Sequence, residues 1–188
     1  MELLKRVGTF FLDIIETIVI ALAIFVVVYL FLVQPHQVKG LSMFPRFNDA
    51  EYILTNKVSY RLHTPQRGDV VVFKSPQNPE VDFIKRIIGL PGEKIKVMNG
   101  KIYINGVSLD ESVYLPNDFV TNAGAFAKEG QEITVPSEEY FCVGDNRNHS
   151  SDSREWGFVP VKDIVGKAWL RYWPLNRLGF VPHERYSL

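Results

Sequence analysis

The 188-residue chain carries 21 basic and 21 acidic residues and a formal net charge of zero, so no global field recruits nucleic acid. That length holds one compact core and one short appendage. Cys142 is the only cysteine, which excludes an intramolecular disulfide. Within the apolar stretch Tyr140-Phe141-Cys142-Val143 it reads as a small core residue rather than a thiol nucleophile.

Thr17 to Val33 contains no charged residue, and Phe10–Ile15 extends the apolar character backward past Asp13. At ~1.5 Å per residue, a helix starting near Phe10 crosses a hydrocarbon core of ~30 Å comfortably. A cleaved secretory leader is the competing reading. It is disfavoured by the length of the run and by the absence of a small-x-small site after Val33. Residues 1–9 are therefore expected to flank the membrane, 10–33 to anchor the chain, and 34–188 to form a single domain. Lys5 and Arg6 precede the span and Lys39 and Arg46 follow it, so the basic residues do not orient it.

After Val33 comes Gly40-Leu41-Ser42-Met43-Phe44-Pro45, with Ser42 nine residues beyond the apolar run. Nine extended residues reach at most ~30 Å, which keeps Ser42 near the membrane. Leu41, Met43, Phe44 and Phe47 could either dip into the interface or pack in a core. Beyond them the pattern is short extended segments punctuated by Gly, Pro and Asn. Val70–Phe73 and Asp82–Ile88 read as buried strands. Lys94–Val97 and Lys101–Ile104 alternate with period two around Asn99-Gly100, a strong hairpin signal, and Asn105-Gly106 turns the chain again. Ile133–Val135, Tyr140–Val143 and Ala168–Trp173 complete a mainly β domain of many short strands, a coiled sandwich or barrel. Outside the anchor, no helical period exceeds two turns.

A serine hydroxyl becomes a nucleophile only when a base takes its proton. His36, His63, His149 and His183 lie scattered in loop-like sequence, with no metal-ligand spacing among them, so no metal and no cofactor is assigned. A histidine base is not excluded by spacing. Lys85 shares one face of its strand with Phe83 and Ile87, while Arg86 shares the other with Ile84 and Ile88. If the sheet is covered on both sides, desolvation lowers the lysine pKa toward that of a general base. Arginine cannot serve, because guanidinium does not deprotonate in proteins. If the strand is an edge, Lys85 simply snorkels into water. The strand pattern admits both. A third segment, Gly144 to Gly157, is almost wholly polar directly after an apolar strand. It reads either as a solvated loop or as a rigid one in which Asp145, Arg147, Asp152 and Arg154 cross-brace and the serines orient an amine.

Together these segments resemble the type I signal peptidases, membrane-bound Ser–Lys endopeptidases that remove signal peptides. Gly40–Pro45 is similar to that family's nucleophile motif, and Arg67-Gly68-Asp69 through Phe73 to its strand motif. Lys85-Arg86-Ile87-Ile88-Gly89-Leu90-Pro91-Gly92 is similar to the lysine motif, and Gly144–Arg154 to the terminal box. Four motifs in order after an anchor form a specific signature. The resemblance implies that Ser42 is the acylating nucleophile and Lys85 the general base. It implies that Ser150 orients the amine, and that Asp145, Arg147, Asp152 and Arg154 support the site. The oxyanion would be held by the Ser42 N–H. Some members add a serine hydroxyl two residues earlier, where this chain has Gly40. Larger members insert a second domain before the terminal box, and here that region is short. The resemblance also implies preprotein substrates with small residues before the cut, a lipid bilayer as partner, and a single-pass protein of the plasma (inner) membrane. Its catalytic domain would face away from the cytoplasm. Rival readings are a silent anchored β-domain that binds secreted partners, a Ser–Lys autoprotease of the SOS-repressor type, and a Ser–Lys processing protease with another substrate.

Overall fold

The computed structural model describes residues 2–116, 119–184 and 186. Helix α1 (Glu2–Val27) passes through a π turn, Val28–Leu32, directly into strand β1 (Val33–Gln37). The apolar span Arg6–Leu32 buries none of its most hydropathic window against the protein. A long helix that is overwhelmingly apolar and uncovered by protein fits lipid, as a single-pass membrane anchor does. The tether to Ser42 begins as a paired strand. Its first residues form β1, which pairs antiparallel with β2 (Tyr52–Asn56). β1 escapes the reading because Val33 continues the apolar run and Pro35 lacks an N–H for a ladder. A proline is tolerated where, as here, the strand lies at a sheet edge.

The remaining strands are β3 (Val70–Lys74), β4 (Asp82–Gly89), β5 (Lys94–Met98), β6 (Lys101–Ile104), β7 (Val107–Ser108), β8 (Glu132–Thr134), β9 (Glu139–Val143), β10 (Val159–Pro160), β11 (Ile164–Trp173) and β12 (Gly179–Phe180). The larger sheet runs β1-β2-β11-β3-β4-β9-β10, with β12 on β11, and the smaller runs β7-β6-β5-β8. All pairings are antiparallel. Three strands separate β1 from β4, yet His36 Nε2 of β1 lies 3.0 Å from Asp82 Oδ2 of β4. The large sheet therefore coils back on itself, as expected of a mainly β domain. Asn99 and Gly100 both take positive φ, 51° and 74°, which is the backbone that matches the twist of a two-residue hairpin.

Alternation on β3 builds two cores at once. Val70 and Val72 pack with Met43, Phe47, Ile53 and Ala168, while Val71 and Phe73 pack with Ile87, Cys142 and Val159. A third core joins the small sheet to the large one through Ile88, Phe141 and Val143. The short stretch between the lysine motif and the terminal box thus becomes a compact second sheet. Cys142 is fully buried, and burial pushes its thiol up, as befits a core residue.

Candidate active site

The turn that carries Ser42 begins where β1 ends. Val38 N–H donates to Glu51 O (2.7 Å), and Gly40 N–H donates to Asp49 Oδ1 (2.7 Å). Gly40 adopts φ +82°, a conformation costly for any residue with a side chain, so the turn itself favours glycine there. The four apolar neighbours of Ser42 divide between the two readings. Met43 and Phe47, four apart, are core residues, while Leu41 and Phe44 are exposed. The turn is pinned beneath by two side chains and leaves Ser42 half-buried at its surface.

Lys85 sits in β4 between β3 and β9, opposite Val71. It is only 4% exposed, so the edge-strand reading does not hold. Its Nζ donates to Ser42 Oγ at 2.8 Å and lies 5.3 Å from the centre of the Phe83 ring, the neighbour expected on its face. Burial pushes the ammonium pKa down to about 8 from an ordinary 10.5, against the opposing pull of Asp152 and Asp145. Half the lysine is then neutral near pH 8, which suits a general base.

The polar loop after β9 holds these two segments together. Asn146 N–H donates to Ser42 O at 2.9 Å. A side chain on Gly144 would place its Cβ 2.3 Å from Ser150 Oγ and 2.5 Å from Ser42 O, so only glycine allows this approach. Asp152 accepts from Gly144 N–H (3.0 Å) and from Arg154 Nε (2.8 Å) and Nη2 (2.9 Å). Burial raises the Asp152 pKa, but Arg154 and these donors outweigh it, and the carboxylate stays ionised below its ordinary range. Ser150 Oγ is buried near Asp152, to whose lowered pKa it contributes, but it makes no hydrogen bond of good geometry. The hydroxyl is present at the site without the bond to Lys85 that the resemblance implies.

The ion pairs are distributed differently from the expected cross-brace. Only Asp152 and Arg154 pair within the loop. Asp145 forms a bidentate pair with Arg86, at 2.7 Å on both arms, and Arg147 pairs with Glu111. The register explains the first exchange. Arg86 opposes Val143, so Asp145, two residues on, reaches the same face of the sheet. Arg147 instead turns toward the 111–121 segment and donates its Nε to Gly144 O (3.0 Å). Arg86, Glu111 and Tyr114 are therefore supporting residues absent from the expected set. Arg86 had a legible signal, since an arginine on the covered face of a buried strand requires a carboxylate. Glu111 and Tyr114 had none, because they lie in irregular sequence. Among the described residues the Ser42 hydroxyl is hydrogen-bonded to Lys85 and to none of His36, His63, His149 and His183, and no cluster of metal-ligating groups occurs.

Beside Ser42 and Lys85 opens a cleft of about 590 Å³. One wall is Pro35–Lys39 of β1 and its continuation, and the other is Glu80–Ile84 leading into Lys85. Each wall includes a strand, Pro35–Gln37 of β1 and Asp82–Ile84 of β4, against which an extended peptide can lie.

A family profile described as signal peptidase, peptidase S26, matches residues 11–173. The chain belongs to the signal peptidase family. Its relatives include a probable signal peptidase I-2 of Synechocystis sp., 37% identical over 90% of this chain and 76% of the relative. Signal peptidase I of Leptolyngbya laminosa is 37% identical over 88% of this chain and 81% of its own length. Signal peptidase IB of Staphylococcus aureus is 34% identical over 90% and 93%. A solved signal peptidase I from Enterococcus faecalis aligns with 56% of this chain and 97% of its own, with a TM-score of 0.44 and 34% identity. The matched span of this signal peptidase family member includes most of the apolar helix and every residue lining the cleft, so membrane segment and site fall within one family unit.

Proposed function

We propose that the chain removes signal peptides from exported preproteins through a Ser42–Lys85 dyad. The observation that carries this reading is the 2.8 Å contact between Lys85 Nζ and Ser42 Oγ, in a setting dry enough to bring the amine to about 8. With Lys85 neutral the contact reverses, and Ser42 O–H donates to Nζ. Ser42 Oγ attacks the scissile carbonyl carbon while its proton passes to Lys85. The oxyanion of the tetrahedral intermediate is held by the Ser42 N–H, and Gly40 contributes no side-chain donor. Lys85 then gives its proton to the leaving amine as the C–N bond breaks, leaving an acyl ester on Ser42. Lys85 next takes a proton from water, whose oxygen attacks the ester, and the proton returns to Ser42.

The substrate lies extended between the Pro35–Lys39 and Glu80–Ile84 walls, with small side chains at the first and third positions before the cut. Its apolar segment remains in the bilayer that holds α1. The catalytic domain lies on the extracytoplasmic side of the plasma membrane, and residues 1–9 lie on the cytoplasmic side. Three variants test the chemistry on a purified preprotein in detergent. Ser42→Ala, Lys85→Ala and Lys85→Arg should each lose processing while keeping the native circular dichroism spectrum. Substantial cleavage by Lys85→Ala would sink the dyad.

A further inference from the structure

The segment after β12 takes no part in the chemistry above, yet it touches both arms that carry it. Val181 N–H donates to Trp169 O (2.9 Å), fixing the start of the segment on β11. His183 Nδ1 then lies 2.8 Å from Asp69 Oδ1, beside the 66–69 turn. Glu184, buried, pairs with Arg46, four residues beyond Ser42. Gly68, at φ +92°, faces Glu184 so closely that a Cβ would fall 2.0 Å from the Glu184 carbonyl oxygen. The Gly68 carbonyl in turn accepts from Arg86 Nη1 at 2.9 Å, and Arg86 is the neighbour of Lys85. Tyr186 meets Tyr114 edge-on at 5.9 Å, and Tyr114 lies 4.3 Å beneath the Arg86 guanidinium. One short segment thus links the Ser42 turn, through Arg46, to the Lys85 strand, through Gly68 and Arg86.

We infer that His183, Glu184 and Tyr186 act as a clamp that sets the approach of Ser42 to Lys85, with Glu184 as its positioning residue. The inference rests on the dyad reading. The Ser42 turn needs such a hold because its own core contacts are confined to Met43 and Phe47, while Leu41 and Phe44 face outward. On the loop side it is fastened by Asn146 to Ser42 O. On the opposite side it is fastened through Arg46, whose carbonyl accepts from Arg171 Nη1 (2.9 Å) and Arg177 Nη2 (3.2 Å) and whose guanidinium is held by Glu184. Loss of Glu184 leaves that guanidinium free to turn outward and carry the turn with it. The cleft walls at Pro35–Lys39 and Glu80–Ile84 do not include the clamp, so substrate binding should be spared.

The test compares kcat, KM and Tm for Glu184→Ala, Arg46→Glu and the charge-exchanged pair Arg46→Glu with Glu184→Arg, all full-length in detergent. A displacement of ~1 Å can cost ~100-fold in rate, so a partial release should cost at least ~10-fold in kcat. KM should stay within about twofold, and the exchanged pair should recover most of the rate, as coupled neighbours do. Unchanged kcat in folded Glu184→Ala, with Ser42→Ala inactive, overturns the clamp and leaves the dyad standing. So does a failure of the exchanged pair to recover rate when its Tm is restored. Cleavage by Ser42→Ala removes the dyad and the clamp together.

Discussion

Lys85→Met should stabilise the protein at neutral pH while abolishing activity. The side chains have similar length, so the swap keeps most of the packing and removes only the charge and one hydrogen bond. Lys85 has a pKa of about 8 in the folded protein, against 10.5 when unperturbed. At ~1.36 kcal/mol per pH unit, this charge costs the folded state about 3 kcal/mol. The sign follows from proton binding. Below pH ~8 both states are protonated and the whole cost is present. Between ~8 and ~10.5 the unfolded chain binds more protons, so stability rises with pH, and above ~10.5 the cost is gone. Losing the bond to Ser42 Oγ offsets ~1 kcal/mol of the gain, and the volume-conserving swap costs under ~1.5 kcal/mol. A net gain of ~1–2 kcal/mol should raise Tm by several degrees at pH 7, for a domain of this size. Thermal unfolding in detergent at pH 6, 7, 9 and 11, followed by near-ultraviolet circular dichroism, measures the difference. The gain should shrink as pH rises past ~8. A Lys85→Met protein that is less stable at pH 7 and 11 alike would refute the buried-charge account.

Asp145→Asn leaves the Arg86 guanidinium fully buried beside a neutral amide, and urea unfolding should report a loss of ~3–5 kcal/mol. Replacing both partners, Arg86→Met with Asp145→Leu, should cost less than either single change. Gly144→Ala forces a Cβ against Ser150 Oγ and Ser42 O, and kcat should fall more than ~10-fold with a smaller change in KM. A wild-type rate in that variant would show that the three-way approach is dispensable. Cys142 should resist thiol reagents in the folded protein and react on unfolding, since it is buried and its thiol is pushed up.

What the chain discloses without coordinates is whatever is encoded within a few residues. The hairpin at Asn99-Gly100, the two faces of β4 and the apolar span are local patterns, and each takes the expected form. Ser42 and Lys85 were nameable from motif order, but their meeting depends on β3 pairing β4 while the Ser42 turn reaches across to the 144–146 loop. The partner of Arg86 required the β4–β9 register, a pairing across more than fifty residues. The division of Leu41 and Phe44 from Met43 and Phe47 required knowing that the segment is a tight turn rather than a strand. β1 was hidden by its own composition, because an apolar anchor and an edge strand with a proline share no boundary signal.

The acids around the base explain why the site carries so many arginines. As the base of the proposed dyad Lys85 must be neutral, yet Asp152 and Asp145 both pull its pKa upward. Two bare carboxylates so close would hold the amine protonated and undo the effect of burial. Each is instead matched by a guanidinium that cannot lose its proton, Arg154 on Asp152 and Arg86 on Asp145. Arg154 itself pushes Lys85 downward. The pairs therefore do more than brace the loop. They let Asp152 orient the backbone N–H groups of Gly144 and Arg154 without imposing its full charge on Lys85. A lysine substituted for either arginine would make a weaker, single-point match to its carboxylate. It would also be free to lose its own proton in the same dry setting, which is why guanidinium is the fitting cation beside a buried amine that must titrate alone.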